Sequence, residues 1–177
     1  MPNGSLPSPD ATVTAVKPGH YPPPNYICEQ LDFKEFSDVF QLQGARDGYN
    51  TGLEPERVSG SMCEQSISRG GTDLVKVSFH CSAGRDADTA VKEFDLNMKV
   101  LYEARETATG PGGQAFRYRN ADSPTIGLKV RAGNLECQVE AEPSALLTEA
   151  EIDNSFTRMT RLLQTLIPKL GPLKAQP

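Results

Sequence analysis

The residues of this chain whose types could do chemistry are four cysteines, two histidines and a scatter of carboxylates. The cysteines are Cys28, Cys63, Cys81 and Cys137. A thiolate zinc site needs close pairs such as C-x-x-C, because a turn must aim two sulfurs at one ion. No two of these cysteines are close in sequence. An even number, each in a different expected element, reads as two disulfides formed in an oxidising compartment. Four unlinked buried thiols is the reading for a cytosolic chain. Three pairings are open. Cys28–Cys63 with Cys81–Cys137 is favoured, tying an opening helix to the first strand and clipping the sheet. Cys63–Cys81, across a hairpin and leaving Cys28–Cys137, is the rival.

The other candidates read as structure. His20 falls in a proline-rich leader. His80 adjoins Cys81 on a strand, where successive side chains point to opposite faces, so the two cannot form a nucleophile–base pair. "GPGGQ" follows a helix and precedes a strand, the reverse of a phosphate-cradling loop. Asp86 and Asp88 suit a helix N-terminus. Glu136, Glu140 and Glu142 alternate with apolar residues and read as the solvated face of a strand. "FRYRN" separates Phe116 and Tyr118 from Arg117 and Arg119, a buried face against a wet one. No catalytic, cofactor-binding or metal-ligating set is expected. The segment "GARDGYNTG" supplies the remaining candidates: Arg46, Asp47, Tyr49 and Asn50 among flexible glycines, a composition that suits either an adaptable binding loop or an ordinary surface loop.

Periodicity gives the elements that must position these residues. The first helix is expected from Asp32 to Gln41, with Asp32 and Glu35 at capping-box spacing and Phe36, Val39 and Phe40 buried. A long loop over 42–60 follows. "SGSMCEQSIS" and "DLVKVSFHCS" flank Gly70-Gly71 as a hairpin, with Val75, Val77, Phe79 and Cys81 on its buried face. "DADTAVKEFDLNMKVLYEARE" reads as a helix with Val91, Phe94, Met98, Leu101 and Tyr102 in its stripe. Strands at "AFRYRN", "TIGLKVRAG" and "LECQVEAEP" come next. A final helix starts at Thr148, with Glu151 in capping-box register and Ile152, Phe156, Met159, Leu163 and Leu166 buried, and Pro168 closes it. The order α-β-β-α-β-β-β-α gives an α+β fold, an antiparallel sheet with helices packed on it. The expected organisation is a disordered Pro-rich tether over 1–26, one domain over 27–168 and a frayed tail over 169–177.

The chain has 177 residues, enough for one domain with a real core. A hydrophobic share of 37% and a charged share of 23% are those of a soluble globular chain. The net charge of −5 argues against nucleic acid as a partner, since that footprint needs clustered Lys and Arg. No apolar run approaches the roughly 18–20 residues that span a bilayer, and no signal-peptide core follows Met1.

The segment "CEQLDFKEFSDVFQLQG" resembles an actinobacterial family of secreted lipoproteins known only as a domain of unknown function. That family opens with a Cys, a Leu-Asp, a short helix and a Gly, then a second Cys at the start of the first strand. The matching positions are Cys28, Leu31-Asp32, the Phe36/Val39/Phe40 face, Gly44 and Cys63. "GPGGQAF" and the amphipathic C-terminal helix are similar to the family's later segments, so the resemblance covers about residues 27–167. Glu64 and Gln65 stand where the family often has an aromatic. The resemblance implies a cell-envelope location, with the lipid-bearing Cys upstream of this chain, and implies no catalytic residues.

Together these readings lead to the expectation of an exported, lipid-anchored, monomeric binding or accessory module without enzymatic activity or cofactor, outside the cytoplasmic membrane. Its partner would be an envelope protein or a small apolar ligand. The alternatives are a carrier of lipid or another apolar molecule between sheet and helices, told apart by co-purifying lipid, and an unrecognised hydrolase, told apart by a convergent polar cluster in its main cleft.

Overall fold

A computed structural model describes residues 20–37, 40–51, 60–71, 73–100, 104–107, 113–120 and 122–171. The leader before His20, Val39, residues 52–59, Leu101, Tyr102, "GPG" and the tail beyond Gly171 lie outside the described residues.

Among the described residues, seven strands form one antiparallel sheet in the order β1-β2-β3-β7-β6-β5-β4. They are β1 Gln41–Thr51, β2 Gly60–Arg69, β3 Asp73–Ala83, β4 Ala104–Thr107, β5 Gly113–Arg119, β6 Ile126–Ala132 and β7 Leu135–Pro143. Two meanders, β1–β3 and β4–β7, are joined through helix α1, Ala87–Val100, and their last strands pair at the centre of the sheet. Helix α2, Glu149–Leu170, follows β7. The α+β class with an antiparallel sheet holds, and the expected element order is corrected in three places.

The opening helix is the first. Residues 27–36 make two short 3₁₀ turns, Ile27–Glu29 and Phe33–Phe36, and the chain is already extended at Gln41. Asp32 does cap, accepting the Lys34 N–H at 3.0 Å. Phe33, Phe36 and Phe40 are buried as separate anchors, with the Phe33 ring edge-on to Phe79 at 5.5 Å. An isolated ten-residue helix is marginal in water, and this segment gains more from seating three phenylalanines on the sheet than from completing a helix. The second correction is β1, which occupies the first part of the expected 42–60 loop. The third is β4, which takes residues 104–106 out of the expected second helix; that helix ends at Val100.

The sheet is covered on both faces, unevenly. On the first face, α2 and the 3₁₀ segment bury Val75, Val77, Phe79, Leu128, Val130 and Val139 against Phe36, Met159, Leu163 and Leu166. The capping box at the start of α2 is complete: Thr148 Oγ1 accepts the Glu151 N–H and the Glu151 carboxylate accepts the Thr148 N–H. Pro168 stands inside the final turn rather than past it, and α2 continues to a buried Leu170. On the second face, α1 lies over β6 and β7. Asp86 caps it by accepting the Thr89 N–H at 2.7 Å. Its Phe94 and Met98 cover Phe116 and Tyr118 in a smaller cluster.

Candidate functional site: a cleft beside the edge disulfide

Both disulfides lie on the first face. Cys81 and Cys137 are directly opposite in the β3–β7 ladder, with Cα atoms 4.1 Å apart and both side chains fully buried. Such cross-strand pairs bring Cα atoms close enough to be bridged when they are of the non-hydrogen-bonded kind. Cys63 of β2 is fully buried and reaches Cys28 of the first 3₁₀ turn, Cα–Cα 5.0 Å. None of the four cysteines is free, and two disulfides point to an oxidising compartment.

The Cys28–Cys63 bridge crosses over Gly48, the β1 residue opposite Cys63. A Cβ at Gly48 would stand 2.6 Å from Cys28 Sγ, so the bridge needs a glycine there. Around it opens a cleft of ≈ 330 Å³ lined by Tyr26, Cys28, Glu29, Arg46, Gly48 and Met62.

The β1 residues singled out from sequence divide between building this cleft and facing away from it. The β1–β2 register slips between Gln43 and Asp47, a bulge around Gly44, which has φ 69°. Buried Gln65 supports it, its Nε2 donating to the carbonyls of Gln43 and Gly44 at 2.8 and 3.2 Å. A bulge re-aims the side chain it carries. Here Arg46 Nη1 donates to the carbonyls of Cys28 and Leu31 at 2.9 and 2.6 Å, and the guanidinium stands 6.0 Å from the Phe33 ring centre. Asn50 accepts the Tyr26 N–H at 3.0 Å and donates to Asn25. Asp47 and Tyr49 are opposite Glu64 and Met62 in the ladder, out of phase with Gly48 and Cys63, and both are exposed. The structure thus brings Arg46 and Cys28 together at the cleft, joins Asn50 to the segment that bounds it, and leaves Asp47 and Tyr49 on the outer surface.

Two further groups escaped sequence reasoning. Asn134, in the β6–β7 turn, holds the backbone of Tyr21 from both sides: its Oδ1 accepts the Tyr21 N–H at 2.6 Å and its Nδ2 donates to the Tyr21 carbonyl at 3.0 Å. On the second face, Tyr118 lies across Gly127, its partner in the β5–β6 ladder, where a Cβ would collide with the ring. The phenol donates to Glu140, which is opposite Gly127 on β7. Gln138 Nε2 lies 2.7 Å from both the phenol oxygen and Glu140 Oε1. Lys129, buried beside this group, is paired with Glu136 at 2.7 Å. His80, opposite Gln138, has its pKa lowered from the ordinary 6.5, first by burial and then by the Lys129 charge. Glu136 and Glu140 are therefore half-buried partners rather than a freely solvated face. The only sequence trace of the Tyr118 arrangement was a glycine interrupting an apolar strand.

No protein-family model matches the chain, and no curated protein matches it. Among solved structures, the chain is similar to a crystal structure described as a GTP binding regulator from Thermotoga maritima, with 13% identity over 85% of this chain and 98% of that one and a TM-score of 0.42. A likeness at that level assigns neither fold nor activity.

Proposed function

We propose that this chain is an exported binding module of the cell envelope, non-enzymatic, tethered to the membrane by a lipid anchor upstream of it, and that it engages a protein partner along β1 and the adjoining cleft. The observation that carries the reading is the pairing of all four cysteines, because structural disulfides persist outside reducing compartments. The cleft offers a phenol, a carboxylate, a guanidinium and a disulfide sulfur, a mixed set suited to recognition. The exposed Tyr49 of β1, and the exposed Tyr26 bonded to β1 through Asn50, add the aromatic surface that binding sites favour. A carrier of lipid would hold its ligand between sheet and helix, where Phe36, Phe79, Met159, Leu163 and Leu166 are fully buried side chains in one cluster. That packed cluster favours the binding module.

The test is made in intact cells of the source organism. Free thiols are trapped with a membrane-permeant alkylating agent, and the protein is probed with external protease and with a photo-crosslinking residue replacing Tyr49. The expected result is no thiol trapped at Cys81 or Cys137, cleavage without lysis, and a discrete crosslinked species in the envelope fraction. Four trapped thiols would overturn the exported reading, and an absence of crosslinks at Tyr49 would overturn the binding role of β1.

A further inference from the structure

We propose that the Cys28–Cys63 disulfide is a thiol–disulfide exchange site, opened and closed by a dithiol that enters the cleft beside it while Cys81–Cys137 stays intact. The inference goes beyond the binding role and stands independently of it.

Access separates the two bridges. Cys81 and Cys137 are both fully buried in the centre of the sheet. Cys28 is half-buried and lines the open cleft, and only its partner Cys63 is enclosed. Attack is therefore directed to Cys28. The cleft places a cationic side chain, Arg46, against the Cys28 peptide. A positive group lining the same cleft draws in the attacking thiolate and favours Cys28 as thiolate when it is released.

The chemistry closes without a further reagent. One thiolate of the dithiol bonds to Cys28 Sγ and the Cys28–Cys63 bond breaks, leaving Cys63 to take a proton. The second thiolate then attacks the dithiol's own sulfur in the mixed disulfide and expels Cys28, which is protonated in turn. The dithiol is oxidised to its disulfide, and Cys28 and Cys63 are reduced by the same two electrons.

The fold is arranged to survive this step. Once the bridge is open, the segment that carries it remains docked through Ile27 N–H to Ser61 Oγ at 3.1 Å, Arg158 to the Glu35 carbonyl at 2.6 Å and the buried Phe33 and Phe36. The seven-stranded ladder does not include that segment. Reduction thus turns a covalently fixed edge of the cleft into one held by side-chain bonds and packing, so the cleft can reshape without loss of the sheet.

The test uses the intact oxidised chain under native conditions. Samples are treated with dithiothreitol, quenched with an alkylating reagent over time and mapped by peptide mass spectrometry, with far-ultraviolet circular dichroism recorded in parallel. Alkylation of Cys28 and Cys63 is expected at least about tenfold faster than that of Cys81 and Cys137, a gap of about 1.4 kcal/mol in accessibility, with the sheet signal unchanged. The same ordering is expected for Arg46→Met. Equal rates, the reverse order, or loss of the sheet signal together with the first reduction would each overturn the proposal.

Discussion

The edge of the sheet and its centre each carry one disulfide, and the two bridges close loops of similar length: 35 residues apart for Cys28–Cys63 and 56 for Cys81–Cys137. Loop-closure entropy gives each about 4 kcal/mol, with the longer loop ahead by about 0.4 kcal/mol. Their surroundings differ far more. Between β3 and β7, nine paired positions already hold Cys81 against Cys137, so cutting that bridge leaves its strands zipped together. At the edge, Cys28 belongs to a segment without strand partners, docked by side chains reaching its backbone: Asn50 to Tyr26, Ser61 to Ile27, Arg46 to Cys28 and Leu31. Equal contributions to global stability therefore coexist with unequal control of local structure. Global unfolding averages over the whole chain, whereas local opening counts only the bonds of the segment that opens.

The largest expected effects separate these two quantities. Replacing Cys81 and Cys137 together with alanine should lower the free energy of unfolding by about 4 kcal/mol, plus the packing lost around two buried sulfurs. The double replacement of Cys28 and Cys63 should cost about 4 kcal/mol as well. Chemical denaturation measures both. Hydrogen exchange should then distinguish them: amides of residues 27–36, still docked, exchange faster in the edge variant and keep their full protection in the central one. Equal protection of that segment in both variants would break the comparison.

The contrast also explains which parts of the molecule were legible in the sequence. Val75, Val77, Phe79 and Cys81, like Leu128 and Val130, alternate because one strand face meets the main core, and that period is written directly into the residue types. Thr148 and Glu151 announced the start of α2 because a cap is a local bond between residues three apart. The edge has no such period. The described side chains of β1 are exposed or half-buried on both faces and include two glycines, so the strand carries the composition of a loop. Charges and a bulge are also how natural sheets blunt an edge. The cleft was half visible: Arg46 and Asn50 stood out by type, while Tyr26, Glu29 and Met62 join them only through the Cys28–Cys63 bridge and the β1–β2 register. The Tyr118–Glu140 contact spans three strands and needed the register outright.

A smaller effect sharpens the edge itself. Gly48→Ala would place a methyl group 2.6 Å from Cys28 Sγ and 2.8 Å from Cys28 Cβ. Overpacking of this kind costs about 1–3 kcal/mol. The cost depends on the bridge holding Cys28 over the strand. In the background of Cys28→Ala with Cys63→Ala the segment is free to shift, and the penalty should fall below about 0.5 kcal/mol, the range of ordinary surface changes. Thermal or urea unfolding of the four proteins gives the coupling. A full penalty in the unbridged background would show that β1 and the segment are locked by packing alone, and that the bridge does not set their spacing.

The smallest effect belongs to the centre and is set by pH. His80 neighbours Cys81 but points to the second face, opposite Gln138, where burial and the charge of Lys129 hold its pKa below 6.5. The groups around it include Glu136, paired with Lys129, and Glu140, joined to Tyr118. With the folded pKa below the unfolded one, the unfolded chain binds the extra proton first. Stability from this group is complete above the unfolded value of 6.5 and declines as pH falls below it, until the folded His80 also titrates. One proton limits the slope to about 1.4 kcal/mol per pH unit. Urea midpoints measured from pH 7.5 downward should fall first in this window, and His80→Gln should flatten that part of the profile. Reduction of Cys28–Cys63 by a phosphine, whose attack needs no thiolate, should stay independent of His80 over the same range, because the charge develops on the far face of the sheet from that bridge. A phosphine reduction rate of Cys28–Cys63 that follows His80 would mean that edge and centre open as one unit.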